Sequence, residues 1–305
     1  MASVVYPSPF DYVAAASVSE AADALRRHGG EAMILAGGHS LLPLLRERRL
    51  TPRLLVDISR TPGLTGVTVD GDTLTIGAAA TFADLLDAPA VAASCPLLID
   101  LVAQVGDQQV RNRGTLGGSA AYADPSADAP AALLALDARF ALQGPEGTRA
   151  VAAADFFQGA HATALRPDEI LVSIAIPRQS PRAGGSYQKF RNPASGYALV
   201  GVAATATLAD DGTLDEVRVG VTGAGVRAVR ASGVEAALRG QRPDEAALHA
   251  ASVHAAEGVE LRSDLYGSQS YRAHLTGVLT RRALRRAVDE ATMAGALLEK
   301  GERLA

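Results

Sequence analysis

The spacing of hydrophobic and polar residues changes twice along this 305-residue chain, and three segments follow from it. In the first segment, Ser17 begins a capping box, and the pattern after it predicts a helix over 20–28. Apolar runs at 33–36 and 54–57 are separated by a helix predicted to end at about Arg49. This order predicts a small α/β unit with parallel strands.

After a Pro-Gly turn at 62–63, shorter strands alternate with turns and helices. The elements predicted here are strands at 66–69, 74–78, 138–143 and 170–176 and helices at 81–86, 96–105 and 129–136. Two prolines and a glycine pair at 177–185 indicate a domain boundary. Beyond it the pattern predicts strands at 187–191, 201–208 and 216–221 and then helices, the last over 271–293. We therefore divide the chain into domains at 1–57, 58–177 and 178–305.

Composition narrows the functional classes. Hydrophobic residues make up 48% of the chain, which is enough for a large core, and a net charge of −4 without a basic stripe argues against nucleic-acid binding. Cys95 is the only cysteine, which excludes a disulfide framework, a four-cysteine iron–sulfur cluster and a cysteine zinc site in this chain. No metal site is predicted. The absence of a signal pattern and of a membrane-length apolar run predicts a cytoplasmic protein.

Two glycine-rich segments are the main chemical signal. Paired glycines let the backbone approach a ligand closely, and unpaired N–H groups beside them attract phosphate oxygens. Two such segments predict two contacts to one extended diphosphate, the alternative being two structural turns. The lysine of a Walker loop is missing, which argues against a nucleotide triphosphatase. The segments are Ala36-Gly37-Gly38-His39-Ser40 and Thr115-Leu116-Gly117-Gly118-Ser119.

Together with further motifs, these segments resemble the FAD-binding medium subunit of the molybdenum hydroxylases, the family of xanthine dehydrogenase and carbon monoxide dehydrogenase. The likeness spans nearly the whole chain, and its specificity comes from the pair of segments and their separation. The residues that carry it are Leu35 to Pro43, Val110 to Ser119, Ala123-Asp124-Pro125, Glu169-Ile170-Leu171, Tyr271-Arg272 and Arg281-Arg282-Ala283-Leu284.

The resemblance implies an α+β fold with a two-subdomain FAD-binding region of the vanillyl-alcohol-oxidase (PCMH) type. A C-terminal domain of three antiparallel strands and a helical bundle would follow. It also implies FAD as cofactor and two partners, an iron–sulfur small subunit and a molybdenum-cofactor large subunit. Electrons would pass from the iron–sulfur subunit through this chain to an external acceptor, and whether that acceptor is NAD, a quinone or another molecule stays open.

By the same resemblance, both glycine segments hold the FAD diphosphate, with His39 positioning the backbone or donating to an oxygen. Asp128, or Asp124 as the alternative, accepts from FAD hydroxyl groups, and Leu171 is an apolar contact beside the cofactor. Lys189 approaches the flavin ring and Tyr197 lies over one flavin face. The alternatives from the residues alone are a solvated strand-end lysine and a core tyrosine. Ser119 stands where many relatives have Asn.

Two other functions stay open at this point: a stand-alone FAD-dependent oxidase or dehydrogenase on the same fold, and a non-catalytic binding module. A cavity near Tyr197 would favour the stand-alone enzyme. The sequence at 223–228 matches a dinucleotide-binding fingerprint, but the acidic residues at 244–245 open a helix instead of ending a parallel strand. We therefore interpret this segment as a strand-to-helix turn and predict no nicotinamide site there.

Overall fold

The computed structural model describes residues 6–302, with side chains as far as residue 298. Residues 1–5, which were searched for a signal pattern, lie outside the described range. The first segment contains β1 (Asp11–Ala14), α1 (Val18–His28), a 3-10 turn (Gly29–Glu31), β2 (Ala32–Leu35), α2 (Leu41–Arg46) and β3 (Leu54–Asp57). Strands β1 and β2 both pair with β3 in parallel, which confirms the predicted α/β unit, although β1 was not predicted.

The Ser17 side chain accepts a hydrogen bond from the Glu20 N–H at 3.1 Å, which confirms the N-terminal cap of α1. The Glu20 carboxylate accepts from Ala16 N–H at 2.7 Å, one residue before the cap. Apolar residues of α1, among them Ala21 and Leu25, pack into the same cluster as the buried Val56 of β3. The sequence thus fixes both the start of the helix and the face that it buries.

The second segment is built around a five-stranded antiparallel sheet in the order β4-β5-β10-β6-β7. The eight-residue strand β10 is the central strand of this sheet and pairs with β5 on one side and β6 on the other. The predicted helices at 81–86 and 129–136 are present, and the helix predicted at 96–105 ends at Val102. Helices α4, α6, α7 and α9, the strand β7 and the hairpin β8-β9 were not predicted. The elements are β4 (Val67–Asp70), β5 (Thr73–Gly77), α3 (Phe82–Leu86), α4 (Pro89–Ser94), α5 (Pro96–Val102), α6 (Gln108–Arg111), α7 (Leu116–Tyr122), α8 (Ala129–Ala135), β6 (Arg139–Gly144), β7 (Gly147–Ala152), α9 (Ala153–Phe156), β8 (Phe157–Gly159), β9 (Ala162–Thr163) and β10 (Ile170–Pro177).

The third segment contains a four-stranded antiparallel sheet and helices. Three of its strands are long, and the fourth, β14, has only two residues and pairs at one edge. Its elements are β11 (Ala183–Arg191), β12 (Ala198–Leu208), β13 (Leu214–Thr222), β14 (Val229–Arg230), α10 (Ser232–Leu238), α11 (Glu245–Ser252), a 3-10 turn (Val253–Ala256) and α12 (Gln269–Glu302). The α+β fold class is confirmed.

This sheet is covered on both faces. Helix α12 packs on one face, where a Cβ built at Gly184 would lie 2.1 Å from the Ala287 carbonyl oxygen. Helices α5 and α8 of the second segment contact strands of the same sheet, and a Cβ at Gly220 would lie 2.0 Å from the Ala131 carbonyl oxygen. Glycine therefore permits a backbone approach on each side, which brings the C-terminal strands next to the residues around Asp128.

The segment at 223–228 connects the antiparallel strands β13 and β14, so our interpretation of it as a strand-to-helix turn was wrong. Gly223 has a φ of +79° and reverses the chain after Thr222. A dinucleotide fingerprint needs a parallel βαβ unit, which this connection does not provide.

The boundaries at 57 and 177 each fall at the last strand residue of one sheet, before the first strand of the next begins. We propose that the three sheets mark the three domains. Among residues 6–302, no helix has the length and apolarity needed to cross a bilayer.

Candidate functional site

The first glycine segment connects β2 to α2 and leaves hydrogen-bond donors free. Within the described residues, the backbone N–H groups of residues 37–40 have no hydrogen-bond partner. Gly38 has a φ of +78°, a conformation that residues with a Cβ rarely adopt. A Cβ at Gly37 would lie 2.1 Å from the Arg113 carbonyl oxygen. The two glycines thus permit a close turn whose N–H groups remain available to an anion.

The second glycine segment is different, because it forms the first turn of α7. Thr115 caps this helix by accepting from the Gly118 N–H at 3.0 Å. The N–H groups of Leu116, Gly117 and Ser119 donate to the carbonyls of Ala80, Ala78 and Thr115, respectively. A Cβ at Gly117 would lie 2.5 Å from the Ala78 carbonyl oxygen. The expectation of a second set of free N–H donors was therefore wrong, since Ala78 and Ala80 accept from two of these groups and Thr115 accepts from the other two.

A cavity of about 100 Å³ lies between the two segments, and we call it the glycine cavity. Two arginines that sequence reasoning did not assign to the site, Arg60 and Arg113, line it with exposed side chains. Neither side chain forms a hydrogen bond or an ion pair with any other described residue, although the Arg113 charge helps to lower the pKa of the nearby Asp57. The remaining lining residues are Ala36, Gly37, Ser59, Ala79, Thr81 and Thr115. Only Arg113 gave a signal in the sequence, because it lies inside the second motif.

Asp128 and Lys189 form a buried ion pair at 2.8 Å, with side chains 6% and 2% exposed. The Tyr187 hydroxyl donates to the other Asp128 oxygen at 2.5 Å. Burial raises the pKa of Asp128, while the Lys189 charge and the hydrogen bonds from Lys189 and Tyr187 oppose that shift. The alternative of a solvated lysine is therefore wrong. Contact of either side chain with a cofactor stays a prediction. The two hydrogen bonds use one lone pair on each Asp128 oxygen, so the carboxylate keeps lone pairs that could accept from a ligand.

Tyr197 lies where the first glycine segment meets the C-terminal sheet. Its side chain is 41% exposed, so the alternative of a core tyrosine is wrong. Burial raises the pKa of Tyr197, the nearby charge of Asp124 raises it further, and the neighbouring Ser40 side chain lowers it. Asn192 holds the preceding turn by accepting from the backbone N–H of Ala194 at 2.9 Å. The structure therefore brings Ser40, Asp124 and Tyr197 together.

Leu171 is buried on β10 and belongs to the same core cluster as Leu116 of α7. A direct contact with a cofactor stays a prediction, as does the role of the exposed His39.

A larger cavity of about 460 Å³ lies beside Tyr197, and we call it the Arg262 cavity. Arg272 at its floor is fully buried and donates to the carbonyls of Leu199 and Gly223 at 2.7 Å each and to Asp264 at 2.6 Å. Sequence reasoning assigned neither arginine to a site, because residues 197, 262 and 272 meet only in the folded chain. The cavity is also lined by Asp124, Pro125, Ser126, Ala160, His161, Asn192, Ser195, Tyr197, Ala198, Leu199, Asp264 and Tyr266.

The glycine cavity carries groups that suit a phosphate: Gly37, whose N–H has no partner among the described residues, and two arginines that form no ion pair with any of them. Residues 8–179 match the family model for the FAD-binding domain in molybdopterin dehydrogenase. Residues 185–287 match the model for the CO dehydrogenase flavoprotein C-terminal domain. The chain belongs to the FAD-binding medium subunits of the molybdenum hydroxylase family. Its cofactor is FAD, and the chain is an FAD-dependent oxidoreductase of the medium-subunit kind.

Relatives of known activity support this membership over nearly the whole chain. The carbon monoxide dehydrogenase medium chain of Hydrogenophaga pseudoflava is 37% identical, with 91% of this chain and 96% of the relative covered. The nicotine 6-hydroxylase medium subunit of Paenarthrobacter nicotinovorans is 35% identical, with 90% and 95% covered. The solved carbon monoxide dehydrogenase of H. pseudoflava superposes with a TM-score of 0.91 at 38% identity, covering 93% of this chain and 99% of that one.

Proposed function

We propose that this chain is the electron-transferring subunit of a three-subunit molybdenum hydroxylase. Electrons would pass from a molybdenum-cofactor large subunit to an iron–sulfur small subunit and from there to this chain. This chain would then pass them to an external acceptor. Two observations support the proposal. The chain resembles medium subunits along almost its full length. Its single cysteine cannot build a four-cysteine cluster, so the cluster would belong to another chain.

The observation that carries the cofactor assignment is the glycine cavity, which Gly37 lines together with two arginines that have no ion pair with any described residue. In our proposal residues 37–40 donate to the FAD diphosphate, and Arg60 and Arg113 compensate its charge. The second glycine segment contributes through Thr115 and through the close packing of Gly117 and Gly118. Bound FAD supplies reversible one- and two-electron chemistry.

The remaining assignments form the second part of the proposal. Asp128 accepts from an FAD hydroxyl group while Lys189 and Tyr187 hold its carboxylate in place. Tyr197 covers one face of the flavin and restricts solvent there. Because Lys189 is already paired with Asp128, its positive charge at the flavin is largely offset by the carboxylate.

The test of the cofactor assignment is FAD affinity measured by fluorescence titration. Arg113→Gln should bind FAD about three- to tenfold more weakly, because the loss of one solvent-exposed hydrogen bond costs about 0.7–1.4 kcal/mol. Arg282→Gln, an exposed arginine on α12, is the matched control. The purified protein should be yellow and should release FAD, not FMN. Equal affinity in wild type and Arg113→Gln would remove this residue from the site, and a protein that cannot be reconstituted with FAD would overturn the assignment.

The test of the assembly is purification of a tagged copy from the native host. We expect two further chains in fixed stoichiometry, one with iron–sulfur absorbance and one with molybdenum. A cytoplasmic location also remains a prediction, which fractionation of the same cells would check. A tagged chain that purifies alone with full flavin content would contradict the three-subunit proposal.

A stand-alone flavoenzyme is the second candidate, and the Arg262 cavity favours it, because it provides a ligand-sized space beside Tyr197. This function requires that the purified chain, without partners, be reduced by a small molecule under anaerobic conditions. The match to medium subunits over more than nine-tenths of the chain favours the subunit function.

A further inference from the structure

The segment 124–128 between α7 and α8 contains both acidic residues predicted to accept from FAD, and it forms neither helix nor strand. Its backbone is held instead by the sheet of the third segment. The Gly223 N–H donates to the Pro125 carbonyl at 2.7 Å, and the Ala198 N–H donates to the Ser126 carbonyl at 3.2 Å. The position of the two acidic residues therefore depends on the ends of strands β12 and β13.

Thr222, the last residue of β13, holds the backbone immediately before Asp128. Its side chain is fully buried, and its hydroxyl oxygen lies 2.8 Å from the Ala127 carbonyl oxygen and 3.1 Å from that of Pro125. A hydroxyl group has a single proton, so the shorter bond to Ala127 is the main one. The Ala127 carbonyl and the Asp128 nitrogen belong to one planar peptide unit. The Thr222 hydroxyl therefore fixes the orientation of the peptide that leads into Asp128.

The same row of the sheet holds the Asp128 side chain. Thr222 pairs with Gly201 of β12, and Gly201 pairs with Lys189 of β11, so the three residues lie side by side on one face. Lys189 donates to the Asp128 carboxylate. A Cβ at Gly201 would lie 2.3 Å from the hydroxyl of Tyr187, the second donor to this carboxylate, and 3.0 Å from the Thr222 methyl group. The backbone and the carboxylate of Asp128 are thus held by one row of residues.

We propose that Thr222 is a positioning residue of the FAD site and acts through Asp128. Its hydroxyl holds the backbone before Asp128 while Lys189 and Tyr187 hold the carboxylate, so that the remaining lone pairs stay aligned with an FAD hydroxyl group. The inference rests on the proposed role of Asp128 and assigns no contact between Thr222 and the cofactor. It makes the affinity for FAD depend on a side chain of the third segment.

The FAD dissociation constant of Thr222→Val, measured by fluorescence titration of the full chain, tests the proposal, because valine keeps the β-branch but has no hydroxyl. We expect FAD to bind about three- to tenfold more weakly, the range for one lost hydrogen bond. Thr222→Ser keeps the hydroxyl and should bind FAD within about twofold of wild type. The matched control is Thr205→Val. Thr205 is also buried and donates at 3.3 Å to the carbonyl of Ala135, at the opposite end of α8 from Asp128, so its loss should leave FAD affinity unchanged.

A double-mutant cycle with Asp128→Asn separates positioning from a general loss of stability. If Thr222 acts through the carboxylate, Thr222→Val should weaken FAD binding by less than about twofold in the Asp128→Asn background. If Thr222→Val does not fold, Thr222→Ala takes its place in the same cycle. Alanine also lacks the hydroxyl, and it places no methyl group against the two carbonyls.

The proposal is overturned if Thr222→Val and Thr222→Ala bind FAD as tightly as wild type, or if Thr205→Val weakens FAD binding equally. It is also overturned if the loss in the Asp128→Asn background is as large as in wild type. Asp128→Asn alone distinguishes this failure from that of the proposed function. Unchanged FAD affinity in Asp128→Asn would remove the proposed role of Asp128 and the inference with it. Weakened binding in Asp128→Asn beside unchanged binding in Thr222→Val would overturn the inference alone.

Discussion

Replacing Lys189 by Met tests whether its charge stabilises the fold through a buried ion pair or serves only the cofactor. Lys189 lies 2.8 Å from Asp128, and both side chains are almost fully buried. Removing one partner of such a pair leaves an uncompensated charge, which costs about 3–5 kcal/mol of folding free energy. The variant should therefore be strongly destabilised, with a loss larger than any change expected from a missing contact to a ligand.

The loss should depend on pH. Burial raises the pKa of Asp128, and Lys189 opposes that shift, so without the lysine the pKa rises further. A carboxyl group whose pKa is higher in the folded than in the unfolded state stabilises the fold only while it is protonated. Its contribution is lost as pH rises from the unfolded pKa through the folded one. The free energy of unfolding of Lys189→Met should therefore differ least from that of wild type at about pH 5 and most at about pH 8.

Urea unfolding at a fixed excess of FAD measures this difference. Arg182→Met is the matched control, because Arg182 pairs at 3.0 Å with Asp210, whose side chain is 95% exposed. An exposed pair contributes only about 0–1 kcal/mol. The double variant Lys189→Met with Asp128→Asn should recover part of the stability at pH 8. The reasoning is refuted if Lys189→Met costs no more than Arg182→Met, or if its cost is the same at both pH values.

Three further variants test other parts of the structure. Gly38→Val should lower the FAD content measured by absorbance, because a residue with a Cβ pays roughly 1–2 kcal/mol for the φ of +78° found at Gly38. The control is Gly29→Val, since Gly29 also has a positive φ, +54°, but lies away from the cavity; this variant should keep its flavin. Tyr187→Phe should lower the free energy of unfolding by about 1–3 kcal/mol, since Asp128 loses a buried donor; equal urea midpoints would argue against this bond. The pKa of Glu169 is held low by its hydrogen bonds from Arg149, so wild type should lose stability as pH falls below about 4.5. Glu169→Gln should lose less over the same range in acid titrations followed by circular dichroism.

Local signals in the sequence were sufficient for much of the fold. The parallel strands of the first segment and the cap at Ser17 depend on neighbouring residues, and both are present. Several of the missed elements have only four residues, such as the helices α6 and α9 and the edge strand β1. Elements of this length have too few residues to show a period, and tertiary contacts stabilise them.

The candidate site divides in the same way. The sequence by itself determined the two glycine segments, because the absence of a Cβ is a property of each residue. Only the tertiary structure decided which N–H groups remain free, since Ala78 and Ala80 satisfy those of Leu116 and Gly117 and nothing described satisfies those of residues 37–40. It also decided that Lys189 pairs with Asp128, 61 residues away. Charges act through space over a few ångströms, and packing alone sets which of them meet.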